Sequence, residues 1–181
     1  MIERITDATP EEQTRGHRFR YHLAAGFCLP DDRVLDAACG TGYGYEILEP
    51  YGVGYLGVDK IDRSQVQLPD HLSSAWTSWD PYRQVDLETW QPDFKFDVFI
   101  GFETIEHLND YSNYLRVATQ ARSWVLLSTP VTPTVGINPY HRWDFARGQL
   151  VDLFQDPGWE LFQLVDQPSE QSEIYVFRRR S

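Results

Sequence analysis

No apolar run in this chain approaches the roughly 20 residues needed to cross a bilayer, and the stretch from Met1 to Gln13 is polar and acidic rather than signal-like. Neither a membrane span nor secretion is expected, and the expected compartment is the cytoplasm. Cysteine is nearly absent. Cys28 and Cys39 are the only two in 181 residues, both in apolar surroundings, too few and wrongly spaced for a disulfide framework or a zinc site. Positive charge is scarce as well: 16 Lys and Arg stand against 27 Asp and Glu, for a formal net charge of -11. Such a surface repels a phosphate backbone, so nucleic acid is a disfavoured partner. The one basic cluster, Arg178-Arg179-Arg180, sits at the end of the sequence, where a solvated tail is the simpler reading. Neither G-x-G-x-x-G nor G-x-x-x-x-G-K-[ST] occurs, which argues against dinucleotide and triphosphate ligands. There is no internal repeat and no low-complexity tract.

What is present suits one ordinary domain. With 181 residues, 41% of them hydrophobic, the chain can bury a single core, so residues 1–181 are expected to form one domain with residues 1–30 as a helical lead-in. Thr9 is a candidate N-cap before Pro10, and Glu11 and Glu12 favour a helix start, predicting a helix from Pro10 to Phe27. Apolar runs predict strands at 33–37 and 53–59, with a short helix at 43–49 between them. That β-α-β unit implies a parallel pair. Residues 60–91 are polar and read as an abbreviated crossover ending in a weak strand at 82–85. Further strands are predicted at 96–101 and 123–128, helices at 111–121 and 145–154, and a long loop at 129–142 of the kind that covers a site. Two final strands, 159–165 and 173–178, read as an antiparallel hairpin. The fold class is α/β: a Rossmann-like, mostly parallel sheet closing on that hairpin, with helices on both faces.

Asp36-Ala37-Ala38-Cys39-Gly40-Thr41-Gly42-Tyr43-Gly44 falls where the first strand turns into the next helix. Glycines there let the backbone approach a ligand, in the crevice where such sheets bind them. Asp59, at the end of the next strand, lies about 20 residues on, the separation at which a carboxylate can accept from both hydroxyls of a ribose. Asp36 would sit badly beside a pyrophosphate but suits a cationic ammonium group.

On these residues the chain resembles the class I S-adenosylmethionine (SAM)-dependent methyltransferases. Val34 to Gly44, VLDAACGTGYG, looks like their first motif, and the likeness continues through Gly57-Val58-Asp59, Asp86-Leu87, Phe96 to Leu108 and Ser128-Thr129-Pro130. The resemblance implies SAM as cofactor. Gly40 and Gly42 would pass beneath its methionine part, Asp36 near its amino group, Asp59 at the ribose, Asp86 at the adenine amine and Leu87 against the ring. Arg20-Tyr21 resembles a pair that leads into the site in relatives, and Tyr21, Ala38, Lys60 and Phe102 complete the expected cofactor-binding set. The stretch after Asp59 departs from the family, which usually has a full helix there, and this bears most on Asp86.

Phe102-Glu103-Thr104-Ile105-Glu106-His107-Leu108 follows the fourth strand. If helical, it would project Glu103, Glu106 and His107 from one face, a mixed N/O set suited to Mg, Mn, Fe or Co. His141, in Asn138-Pro139-Tyr140-His141, would be a fourth ligand. This E-x-x-E-H run with a later His resembles the metal site of the plant small-RNA 3′-end 2′-O-methyltransferase and of ubiquinone-biosynthesis O-methyltransferases. The resemblance implies Mg²⁺ or Mn²⁺ aligning a substrate hydroxyl with the SAM methyl. Two other readings stand beside it: His107 or His141 as a metal-free base, or a purely structural role. His17, His22 and His71 show no partners in sequence. Tyr43, Tyr140, Trp143 and Phe102 suggest a planar apolar pocket, with core packing as the plainer role for such rings. The expected reaction is O-methylation of a small-molecule hydroxyl, catechol-like or sugar-like. The alternatives are an RNA 3′-end 2′-O-methyltransferase and a SAM-binding protein without catalysis. So small a chain leaves the site open or built with a second copy, as in a homodimer.

Overall fold

The computed structural model describes residues 11–69, 80–154 and 158–181, with side chains from Thr14 onward. The proposed cap at Thr9 and Pro10, and His71, lie outside the described residues. Seven strands form one sheet: β1 (Arg33–Ala37), β2 (Gly54–Asp59), β3 (Tyr82–Gln84), β4 (Val98–Phe102), β5 (Trp124–Pro130), β6 (Trp159–Gln167) and β7 (Ser172–Arg179). Their order is β3-β2-β1-β4-β5-β7-β6. β3, β2, β1, β4 and β5 run parallel to their neighbours, while β7 pairs antiparallel with both β5 and β6. The helices are α1 (Glu11–Ala25), α2 (Gly44–Leu48), α3 (Ser112–Ala118) and α4 (Gln149–Leu153).

A parallel sheet needs cover on both faces, and two cores supply it. Tyr21, Ala24, Ile47 and Leu48 of α1 and α2 pack with Val34, Val98 and Val176 on one side. Tyr114, Val117 and Leu150 of α3 and α4 pack with Leu35, Phe99, Val125 and Phe177 on the other. This is why β2 and β4 read as unbroken apolar runs: every residue of both is buried. β6, at the sheet edge, exposes Leu161, Phe162 and Leu164. No helix among the described residues is long and apolar enough to cross a membrane.

The expected sheet with its closing hairpin is present, with shifted boundaries. The predicted helix at 145–154 shrinks to α4, because Gly148 immediately before it is left-handed at φ 75°. The 102–108 stretch is not an α-helix. Glu103 adopts φ 48°, outside the helical region, and only one 3-10 turn, Ile105–His107, follows.

Gly101 shows how tightly β4 meets α3: a Cβ there would collide with the Tyr114 hydroxyl. Overpacking of this kind costs about 1–3 kcal/mol. Gly101→Ala is expected to lose that much in urea unfolding, and an unchanged midpoint would contradict the packing described.

Candidate active site

β1 is the switch point of the sheet: the chain proceeds from it to β2 and β3 on one side and later to β4 and β5 on the other. The loops beyond these strand ends therefore part around a crevice. The turn after β1 is built from left-handed residues, Ala38 at φ 67°, Gly40 at 57° and Gly42 at 87°. Ala38 and Cys39 donate to the Val58 carbonyl at 2.8 and 3.1 Å, which holds the turn against β2. Gly42 is required twice over, since an added Cβ would also lie 2.7 Å from Leu68. Asp59 ties the loop together. Its Oδ2 accepts from the Gly40 N–H at 2.9 Å, and Oδ1 accepts from Lys60 N–H at 2.6 Å and Ile61 N–H at 3.2 Å.

A cavity of about 330 Å³ lies in the crevice. Of the residues singled out from sequence, Tyr21, Ala38, Gly40, Asp59, Lys60, Asp86, Leu87, Phe102, Glu103 and His107 line it. Asp86 reaches it despite the abbreviated crossover, paired there with Lys60 at 2.8 Å. Both side chains are largely exposed, so this pair holds little energy and can re-form around another donor.

Asp36, Gly42, Glu106 and His141 do not line the cavity. Asp36 is fully buried, and its carboxylate accepts from the hydroxyl of Tyr55 at 2.6 Å and from that of Tyr21 at 3.0 and 3.1 Å. Tyr21, packed edge-on to Tyr43 and Phe102, thus connects Asp36 to the cavity wall. Burial raises the Asp36 pKa from 3.8 to about 7, against the two tyrosine hydrogen bonds that lower it. Between those values the folded chain holds a proton the unfolded chain has lost, so this contribution is complete below 3.8 and vanishes as pH rises through about 7. Asp36→Asn is expected to flatten the fall in unfolding free energy across that window. An unaltered slope in urea titrations would show that Asp36 is not its source.

His17 lines the cavity although nothing in the sequence marked it. Its Nδ1 lies 3.5 Å from the Tyr43 hydroxyl. Burial, with the charge of Arg20, lowers its pKa to about 3, so the ring is neutral at physiological pH. The available signal was its spacing: His17 and Tyr21 are four apart on α1 and share a face. Tyr140 and Arg142, from the 129–142 loop, line the same cavity.

Beside the cavity, Glu106, His107 and His141 each bring one ligand atom within 4.8 Å of the other two. The rings meet edge to face at 4.7 Å between centroids. His107 Nδ1 donates to the Tyr140 carbonyl at 3.3 Å, which leaves the lone pair of the neutral ring on Nε2. That Nε2 is 4.0 Å from Glu106 Oε1. His141 Nδ1 meets the Thr134 hydroxyl at 2.6 Å, and that hydroxyl donates to Asp144. Both imidazoles are therefore oriented from behind. Glu106 is 1% exposed, and its Oε1 has no hydrogen-bond partner. Burial, then the neighbouring charge of Glu103, pushes its carboxyl well above the usual range.

Glu103 does not join this group. Its left-handed backbone turns the side chain to Ser128 Oγ at 2.7 Å, Ser172 Oγ at 3.1 Å and Arg20 Nη2 at 3.4 Å. The four-ligand set expected from a helical 102–108 becomes three, because the helix is not there to align the first glutamate.

The family model for a methyltransferase domain matches residues 11–170. The chain belongs to the class I SAM-dependent methyltransferases. A probable SAM-dependent methyltransferase of Mycobacterium tuberculosis is 29% identical over 154 residues, 80% of this chain and 54% of that protein. The ubiquinone biosynthesis O-methyltransferase of Rhodopseudomonas palustris is 28% identical over 139 residues, 70% of this chain and 53% of that one. This methyltransferase spans about half the length of these curated relatives. The SAM-bound magnesium protoporphyrin IX methyltransferase of Synechocystis PCC 6803 has the same fold, with a TM-score of 0.67 at 16% identity over 98% of this chain and 86% of that one.

Proposed function

We propose that this methyltransferase moves the methyl group of SAM to a hydroxyl of a small molecule that carries two neighbouring oxygens, with Mg²⁺ or Mn²⁺ held by Glu106, His107 and His141. The single observation that carries the reading is the unpartnered, buried Glu106 Oε1 beside two imidazoles whose other nitrogens are fixed by Tyr140 and Thr134. A buried carboxylate oxygen without a donor is costly, and a divalent cation is the group that removes the cost while accepting both imidazoles. Such an ion supplies Lewis-acid chemistry, lowering a bound hydroxyl's pKa.

The chain's own residues do the rest. Gly40 presents a backbone cradle to the methionine part and Asp59 a carboxylate to the ribose, Asp86 and Leu87 receive the adenine, and Tyr21, Ala38, Lys60 and Phe102 enclose the cofactor. Tyr43, Tyr140 and His17 form an uncharged wall against which a planar acceptor can stack. The described residues act as one domain, a reading supported by two cores that share a single sheet. The ubiquinone-pathway O-methyltransferases among the relatives support a hydroxyl acceptor. An RNA 3′ end is the second reading, carried by the likeness of the Glu106-His107…His141 pattern and opposed by the net charge of -11.

Calorimetric titration of SAM into chelator-treated protein, followed by Mn²⁺ and a panel of catechols and vicinal diols, tests the proposal. SAM and Mn²⁺ should each bind, and turnover on a diol should require the metal. SAM binding without Mn²⁺ binding would remove the metal and leave His107 or His141 as a base.

A further inference from the structure

The cavity wall carries four carboxylates, those of Asp59, Asp86, Glu88 and Glu103, and two permanent cations, Lys60 and Arg142. In a chain of net charge -11, such a wall repels anions except where a cation stands uncommitted. Each carboxylate is engaged elsewhere. Asp59 accepts from the Gly40, Lys60 and Ile61 N–H groups, and Asp86 pairs with Lys60. Glu88 accepts from the Asn109 N–H at 3.2 Å and from its side-chain amide at 2.9 Å, while Glu103 is held by Ser128, Ser172 and Arg20. Lys60 is thus neutralised. The exposed Arg142 guanidinium meets no acceptor among the described residues.

The backbone of Arg142 is nevertheless pinned. Its N–H donates to the Glu106 carbonyl at 2.7 Å, Trp143 Nε1 donates to the Leu108 carbonyl at 2.7 Å, and the Tyr140 carbonyl accepts from His107 Nδ1 at 3.3 Å. Residues 140, 142 and 143 are therefore fastened to the turn that carries Glu106 and His107, and Arg142 directly follows His141.

We infer that Arg142 selects acceptors that carry an oxyanion, a carboxylate or a phosphate, besides the hydroxyl that is methylated. The inference deepens the small-molecule reading above and rests on it. A guanidinium meets either oxyanion through two parallel N–H donors. The four carboxylates repel that group from the rest of the wall. The contact therefore orients the acceptor as well as holding it, with its anionic end at Arg142 and its hydroxyls toward Glu106, His107 and His141.

Matched acceptors isolate the charge: catechol against protocatechuate, and glycerol against glycerol phosphate. Each is titrated calorimetrically into the full chain with S-adenosylhomocysteine and Mn²⁺ present, and KM and kcat are measured where turnover occurs. At least one anionic member is expected to bind about 10-fold tighter than its uncharged partner, less so as salt is added, and the pair that shows it identifies the oxyanion. Arg142→Ala keeps the backbone N–H that holds the loop. It should abolish the preference, raising KM for the anionic acceptor far more than it lowers kcat, and Arg142→Glu should invert it. Equal binding within both pairs, or a preference that survives in Arg142→Ala, would overturn the inference and leave the hydroxyl-acceptor reading standing. Loss of S-adenosylhomocysteine affinity in Arg142→Ala would move Arg142 to the cofactor and overturn it as well. Binding of no member of either pair would overturn the small-molecule reading and this inference with it.

Discussion

Alanine at His141 is expected to abolish Mn²⁺ binding and to lower turnover about 100-fold or more, while SAM affinity stays within about twofold. The reason is spatial separation. His141 is not part of the cavity wall, and it reaches Glu106 and His107 from a loop 34 positions beyond His107. Removing its ring takes one of three donors from the group and leaves the Asp59 knot and the Gly40 turn intact. Glu106→Gln should act in the same direction, because it neutralises the buried oxygen on which the reading depends. Glu103→Gln should not, since Glu103 is held by Ser128, Ser172 and Arg20. Calorimetry with Mn²⁺ and a chelator-sensitive turnover assay measure both effects. Full Mn²⁺ affinity in His141→Ala would end the three-residue metal proposal. Loss in Glu103→Gln equal to that in Glu106→Gln would restore the four-ligand arrangement.

The second large effect is expected at Asp59. Its carboxylate accepts three backbone N–H groups, and a ribose hydroxyl would take the remaining acceptor site on Oδ2. Each hydrogen bond to a charged group contributes about 1.5–3 kcal/mol, so Asp59→Ala should weaken cofactor binding by up to about 100-fold. It should also loosen the loop, because Gly40, Lys60 and Ile61 lose an acceptor. Asp59→Asn separates the two consequences: the amide oxygen can still accept from Lys60 and Ile61 while the NH2 faces the Gly40 N–H, so thermal stability should return in part while cofactor affinity remains depressed. Unchanged affinity in both variants would remove Asp59 from the cofactor site.

Much of the fold was legible because it depends on local pattern. β2 and β4 lie buried on both faces, and such strands must be apolar throughout; β5 was recognisable on the same basis, whereas α3 buries one face only, through Tyr114, Val117 and Ala118. The glycine-bearing turn was legible for a different reason. Left-handed backbone at Gly40 and Gly42 has few residue solutions, so the requirement shows in the letters themselves. Ala38 is the exception: it adopts φ 67° without being glycine, and no pattern announces it. The short α4 was over-read, because the left-handed Gly148 keeps residues 145–148 out of a helix predicted to begin at Phe145.

By itself, then, the chain's order of residues determined a mostly parallel sheet, the glycine-bearing turn after its first strand with Asp59 at the end of the next, and a membership in the methyltransferases that the family comparison bears out. Hydrophobic period and backbone permissiveness are local properties, readable within a dozen residues. Only the tertiary structure decided which side chains meet. It separated Glu103 from Glu106 by one left-handed residue, joined His141 to His107 across a loop, drew His17 to the cavity wall, and buried Arg20 with a donor unmet. Each of those depends on the direction of a side chain after the elements have packed, and direction is set by neighbours distant in sequence.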